Sequence, residues 1–284
     1  MKSKIIDAFM FYDELAVLEI RLNELDPVVD HFVIVESLET HGSRRTKPAI
    51  LAENWDVVKP FEHKIKYVVL PHLEPEYTDA ASGWKRENFQ RLSLMPGILS
   101  VSTSPEDVVI LSDCDEIPRA KTIRDCFHLF AKQMYRLNLD LFWYNVNRYV
   151  GPWCQSTVGT ISSYQREGGL QQVRNHYAQY ALLDDAGWHF SYFGDVNRLR
   201  AKIEDHAESY DPDSMALLQR SDKEIAMDVA TGKDMLRRGL YNSGYAWRET
   251  NDPRLPAHFL NNIEHYRQCT EAFFREKNRE LLHG

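Results

Sequence analysis

The chain has 284 residues, 43% of them hydrophobic, which is enough for one large α/β domain or two small ones. With 34 Lys and Arg against 42 Asp and Glu, its formal charge of −8 argues against a nucleic-acid backbone as the main partner, and no apolar run approaches the ~20 residues that span a bilayer. The four cysteines (Cys114, Cys126, Cys154, Cys269) lie far apart without a CxxC pair, so neither a zinc knuckle nor a disulfide framework is indicated.

Met1-Lys2-Ser3-Lys4-Ile5-Ile6-Asp7 reaches an acid after a short apolar step, too short for a signal-peptide core. The expected location is cytoplasmic, free or peripheral at a membrane. Ile5-Ile6-Asp7-Ala8-Phe9-Met10-Phe11 has strand length and runs into Tyr12-Asp13-Glu14. Leu15, Leu18, Leu22 and Leu25 follow at helical spacing, closed by Asp26-Pro27. His31-Phe32-Val33-Ile34-Val35 predicts a second strand leading into the polar stretch 36–42, and 64–70 predicts a third, stopped by Pro71. A helix is expected over 84–95, ended by Pro96-Gly97. Asp107-Val108-Val109-Ile110-Leu111 is the fourth strand and delivers Ser112-Asp113-Cys114-Asp115-Glu116, with Pro118 preventing its continuation. Strands separated by helices predict a mostly parallel sheet and an α/β class.

Past Arg119 the pattern changes. One helix carries Ile123, Phe127 and Phe130, then strand-like aromatic stretches over 139–149 and 157–164 predict a mixed or antiparallel extension. Helical periodicity returns over 198–210, 221–238 and 263–282.

In an open α/β sheet, ligands bind beyond the carboxyl ends of the strands. Three such ends carry Tyr12-Asp13-Glu14, the 36–42 loop with Arg44, Arg45 and Lys47 beyond it, and the 112–116 segment. The two carboxylates of the DxD leave a buried strand where the chain turns, so that one addresses a ribose and the other a hard cation. Such an ion bridges a diphosphate and offsets the repulsion that the acidic balance creates. For single residues the plainer readings compete: a core histidine for His189, a solvated helix face for His206, and surface charge for Arg44, Arg86 and Arg91.

Phe11-Tyr12-Asp13-Glu14 with Leu18-Glu19-Ile20-Arg21-Leu22, then Phe32-Val33-Ile34-Val35-Glu36-Ser37, Arg86-Glu87-Asn88, Leu111-Ser112-Asp113-Cys114-Asp115-Glu116-Ile117-Pro118 and Gly187-Trp188-His189-Phe190-Ser191 together resemble glycosyltransferase family 17, in order from about residue 5 to about residue 210. That family includes β-1,4-mannosyl-glycoprotein 4-β-N-acetylglucosaminyltransferases. The resemblance implies a GT-A type, nucleotide-sugar-binding, Rossmann-like mixed sheet flanked by helices, UDP-N-acetylglucosamine (UDP-GlcNAc) as donor, a glycan acceptor, a divalent ion (Mn²⁺ or Mg²⁺), and inversion to a β linkage. One domain is then expected over 1–284, with a nucleotide-binding half (1–118), an acceptor and metal half (119–220) and a helical C-terminal extension (221–284).

Carried over, Asp113 and Asp115 are the DxD pair, with Asp115 the direct metal ligand, His189 a third ligand and His206 its alternate. Asp13, Glu36, Arg44, Arg86, Asp113 and Lys202 are expected around the nucleotide sugar. Asp195 and Glu116 are the candidates for the catalytic base, and Trp188 and Tyr192 for a sugar-stacking wall.

Three alternatives belong to other classes. A haloacid-dehalogenase-type phosphatase also places a DxD after a strand, though near the start of its domain. A nucleotidyltransferase opens with a Gly-rich loop, where Tyr12-Asp13-Glu14-Leu15 stands here. A non-catalytic glycan-binding module predicts glycan affinity without dependence on UDP.

Overall fold

Alternation along the first strand sets the layers. In β1 (Ile5–Phe11), Ile5, Phe9 and Phe11 face one side and Ile6 and Ala8 the other, each in its own buried cluster. The computed structural model describes residues 3–77, 79, 81–238 and 246–283. β1 pairs in parallel with β2 (His31–Ser37) and β4 (Val108–Leu111), and β2 with β3 (Ile65–Leu70). Leu18, Leu22 and Leu25 of the Leu15–Leu25 helix cover one face, and Leu94 and Ile98 of the Leu94–Val101 helix cover the other. Each fully buried side chain of this kind contributes roughly 1.5–3 kcal/mol of transfer free energy.

Beyond β4 the sheet becomes mixed. β8 (Thr157–Thr160) is antiparallel to β4, and β6 (Tyr135–Trp143) is antiparallel to both β8 and β7 (Arg148–Trp153). β9 (Ala181–Ser191) runs parallel to β6 and antiparallel to the short β5 (Glu116–Pro118), with Glu116 opposite His189. β10 (Ala246–Trp247) ends that side. The mixed α/β sheet flanked by helices is thus the predicted fold class. Gly187 is where β9 crowds β5: its φ is +142°, and a Cβ there would lie 2.0 Å from the Ile117 carbonyl oxygen.

Several sequence-based boundaries move. Pro96-Gly97 does not end the helix predicted over 84–95; that helix is Ser82–Leu92, and a second one, Leu94–Val101, contains Pro96 in its first turn, where the missing N–H has no intrahelical partner to lose. Gly97 lets this helix settle on β2, since a Cβ would meet Val33 Cγ1 at 2.6 Å. The strand expected over 157–164 stops at Thr160, whose hydroxyl accepts from the Ser163 N–H and caps a helix over Ile161–Arg166. Pro118 is the last residue of the short β5, while the fourth strand already ends at Leu111. The 198–210 and 221–238 helices are Val196–Asp205 and Asp222–Ala230, with Pro212–Leu218 between them, and Glu271–Lys277 lies in the tail. These four pack around Leu141, Trp143 and Tyr144 of the mixed sheet. Among the described residues no helix is long and apolar enough to cross a membrane.

Candidate functional site

The parallel registers put the carboxyl ends of β1, β2 and β4 at one edge, and a cleft opens there as the sequence predicts. Its walls include Tyr12 and Glu14 after β1, Thr40 and His41 after β2, and residues 113–116 after β4. The mixed half completes it with Trp153, His189, Tyr192, Lys202, Asp205 and His206.

The 112–116 turn is held from behind by one fully buried guanidinium. Arg21 donates to both carboxylate oxygens of Asp7 (2.8 and 2.6 Å), to the Ser112 hydroxyl (2.6 Å), and to the carbonyls of Asp113 (2.8 Å), Cys114 (3.3 Å) and Glu116 (2.8 Å). Asp7 interrupts an otherwise apolar strand to neutralise this arginine. Arg21 is a functional residue without an expected task, and its signal in the sequence is a charge on the apolar stripe of the first helix.

Asp113 and Asp115 both line the cleft but turn to different partners. Asp113 accepts from Arg174 (2.7 Å) and, at 3.4 Å, from Arg91. Asp115 is buried; its Oδ2 receives Lys202 (3.2 Å) and its Oδ1 lies 3.4 Å from His189 Nε2. Burial pushes the Asp115 carboxyl up, but the Lys202 ammonium and His189 outweigh it and hold the group below the usual carboxylate range. Burial likewise works against the Lys202 charge, and Asp115 and Glu14 overcome it, so Lys202 stays protonated.

The Asp115 Oδ1 to His189 Nε2 separation is near the about 3 Å expected between adjacent ligands on an ion with bonds of about 2.1 Å. The pair therefore fits a divalent ion. Among the described residues no group of three His, Cys, Asp or Glu is arranged to hold one. An ion here would have two protein ligands, leaving its other positions to phosphate oxygens and water, the usual arrangement for Mg²⁺ in phosphate sites. His189 packs against Trp153, with ring centroids 4.7 Å apart, and its buried Nδ1 has no partner among the described residues.

His206 does not fit the alternate ligand role. Its Nδ1 accepts from the Glu208 N–H (2.8 Å), so the neutral ring carries its hydrogen on Nε2. Burial and the Lys202 charge push its pKa down to about 4, which keeps the ring neutral. Binding an ion through Nε2 would require the other tautomer and the loss of the Glu208 bond.

Glu116 is equally unsuited to act as a base. Its two oxygens accept from Trp153 Nε1, the Ser156 hydroxyl and both Arg174 nitrogens (2.7–2.9 Å), and from the Asp113 N–H (3.1 Å). Burial raises its pKa, but Arg174 dominates and holds it at about 2. Glu116 and Arg174 instead brace the turn that presents Asp113 and Asp115. No pattern in the sequence singles out Arg174, in the Leu170–Asn175 helix.

Other expected site residues serve the frame. Glu36 is fully buried and accepts from Lys47 (2.5 Å), Tyr67 (2.6 Å) and the N–H groups of Ile50 and Leu51 (2.7 and 3.1 Å), so it holds the segment after β2 and stays out of the cleft. Arg86 is buried and donates to the carbonyls of His41, Gly42, Pro75 and Tyr77, so its guanidinium braces two loops. Arg44 is not among the residues that line the cleft; it pairs with Glu39 at the cleft border and donates to the Glu76 carbonyl. Trp188 is buried, donates to the Arg254 carbonyl and lies under Arg119, which makes it core, whereas Tyr192 does line the cleft.

Asp205, absent from the sequence expectations, joins three segments by accepting from the Tyr12 hydroxyl, Arg45 and the Ser43 hydroxyl. Asp13 and Asp195 face a second cavity beside the cleft. Asp13 forms a bidentate pair with Arg198 (2.7 and 2.8 Å), and Asp195 caps the Val196–Asp205 helix through the Arg198 N–H (3.0 Å).

The rat and human β-1,4-mannosyl-glycoprotein 4-β-N-acetylglucosaminyltransferases are each 32% identical to the chain over 189 residues, 63% of it. The chain spans only about a third (34%) of the length of these curated relatives. Among solved structures, glucosyl-3-phosphoglycerate synthase from Mycobacterium tuberculosis, in complex with Mn²⁺ and UDP-glucose, aligns with a TM-score of 0.36 at 11% identity, covering 66% of this chain and 70% of the other. Residues 1–268 match the sequence model of glycosyltransferase family 17, and the chain belongs to that family.

Proposed function

We propose that the cleft binds a nucleotide sugar, UDP-GlcNAc, through a divalent ion, Mn²⁺ or Mg²⁺, and that the chain transfers the sugar with inversion to a glycan hydroxyl, giving a β linkage. The observation that carries the reading is the Asp115–His189 pair at the carboxyl edge of the sheet, its two ligand atoms spaced for one ion. Charge supports it. Arg44, Arg45, Arg91 and Arg174 offset Glu39, Asp205, Glu87, Asp113 and Glu116, which leaves Glu14 and the buried Asp115 sharing the Lys202 charge, so a diphosphate entering beside them is helped by an added cation. The names of the relatives support N-acetylglucosamine as the sugar and a mannosyl glycan as the kind of acceptor.

When bound, the ion supplies charge neutralisation for the leaving diphosphate. Lys202 stands beside the same position and offers a second positive charge to the leaving group. Arg21, Arg174 and Glu116 keep the turn in one shape, so the site need not reorganise as charge develops. Calorimetry of UDP with and without Mn²⁺ tests the proposal: affinity at least tenfold tighter with the ion is expected, and UDP binding indifferent to the ion would remove it.

A further inference from the structure

We infer that the second cavity receives the acceptor sugar and that Glu14 takes the proton from its reacting hydroxyl; this inference rests on the donor-cleft reading above. The two cavities share a wall made of Glu14 and Lys202. On the far side the second cavity presents the half-buried rings of Phe193 and Phe273, with Gln268, Arg198 and Asp195 among them. Flat apolar rings next to amide, guanidinium and carboxylate groups suit a pyranose, whose C–H face packs on a ring while its hydroxyls find polar partners. Gln268 and Phe273 also give the C-terminal segment a place in the chemistry.

Among the carboxylates of the cleft in the described residues, Glu14 is the one that also lines the second cavity. Asp113, Glu116 and Asp205 have both oxygens engaged by cations, amides or hydroxyls, and Asp115 is shared between Lys202 and His189. Glu14 has Oε2 pinned by the N–H groups of Tyr12 (3.3 Å) and Asp13 (3.2 Å), while Oε1 has the Lys202 ammonium at 3.7 Å and no hydrogen bond among the described residues. One oxygen orients the group, and the other, without a hydrogen bond among the described residues, faces the Lys202 ammonium at the junction of the cavities. In the step, the hydroxyl proton passes to Glu14 Oε1 as the hydroxyl oxygen's electron pair forms the bond to the anomeric carbon. The bond from that carbon to the diphosphate breaks with its electron pair, and UDP leaves as the anion.

Saturation-transfer NMR on the full chain with UDP and Mg²⁺ probes the cavity, using methyl β-D-mannoside, methyl β-D-glucoside and methyl β-N-acetylglucosaminide. At least one sugar should bind, and F193A and F273A, at half-exposed positions, should each weaken it at least fivefold while leaving UDP affinity within about threefold. E14Q should keep UDP and sugar binding but lose more than 100-fold in the rate of transfer from UDP-GlcNAc to that sugar or to water. Binding of none of the sugars, or binding insensitive to both phenylalanines, overturns the acceptor cavity. Turnover by E14Q within fivefold of the parent overturns the base. Failure of the parent chain to bind UDP would instead remove the donor-cleft reading.

Discussion

The parallel half of the sheet and the mixed half beyond β4 meet at the cleft with groups in opposite condition. On the parallel side the buried charges are satisfied: Arg21 by Asp7 and the turn carbonyls, and Glu36 by Lys47, Tyr67 and two amides. On the mixed side His189 Nδ1 and His206 Nε2 are buried without partners among the described residues, and Lys202 reaches across to Asp115 and Glu14. The first half behaves as a fixed frame. On the proposed function the second supplies groups that meet the ligand, so binding should be felt mainly there.

The largest effect expected is on the frame. Arg21→Met leaves Asp7 buried without its partner and should cost about 3–5 kcal/mol, read as a drop in denaturation midpoint. Adding Asp7→Leu should restore much of that stability without restoring UDP affinity, because the turn carbonyls still lack their donor. Recovery of both would mean that Arg21 matters only as half of an ion pair.

Acid sharpens the same comparison. Glu116 is held at about 2, below its ordinary 4.5, so the folded state binds fewer protons than the unfolded one. Its contribution, about 3 kcal/mol, is present above pH 4.5 and is lost as pH falls through about 2. Denaturation followed between pH 5 and 2 should show this loss, and Arg174→Leu should flatten it. An unchanged acid limb would show that Arg174 is not its cause.

On the mixed side, Asp115→Asn should abolish the gain in UDP affinity that Mn²⁺ brings, and His189→Ala should reduce that gain about tenfold while the thermal midpoint shifts little. His206→Phe should leave the Mn²⁺ dependence of UDP binding intact, as measured by calorimetry; a loss as large as that of His189→Ala would restore His206 to the ligand set. The smallest effect belongs to Arg44→Ala, expected to change stability by no more than about 1 kcal/mol and UDP affinity not at all.

What could be read from the sequence follows the same division. Apolar runs of strand length and the 3.6-residue period placed β1, β2, β3, β4 and the first helix within about two residues, because the central strands are buried on both faces and the helix along one regular stripe. The carboxyl-edge rule then located Asp113 and Asp115. Failures came where the deciding partner is distant in sequence. Glu36 and Arg86 have the composition of ligand-binding groups, and only tertiary hydrogen bonds reveal that they are spent on loops. Arg174 sits in a six-residue helix with no pattern to distinguish it, and it meets Glu116 across 58 positions. The β9 strand carries a glycine and two consecutive acids, Asp184-Asp185, which hid an eleven-residue element in the sequence.

Arg21 grips the 112–116 turn through three main-chain carbonyls and the Ser112 hydroxyl, touching none of the side chains of Asp113, Asp115 or Glu116. The path of the turn is therefore largely independent of which residue occupies position 115. On the proposal that Asp115 holds an ion, exchanging it for Glu or His would change the donor offered on an unaltered backbone, a way for descendants of this scaffold to change metals without rebuilding the loop.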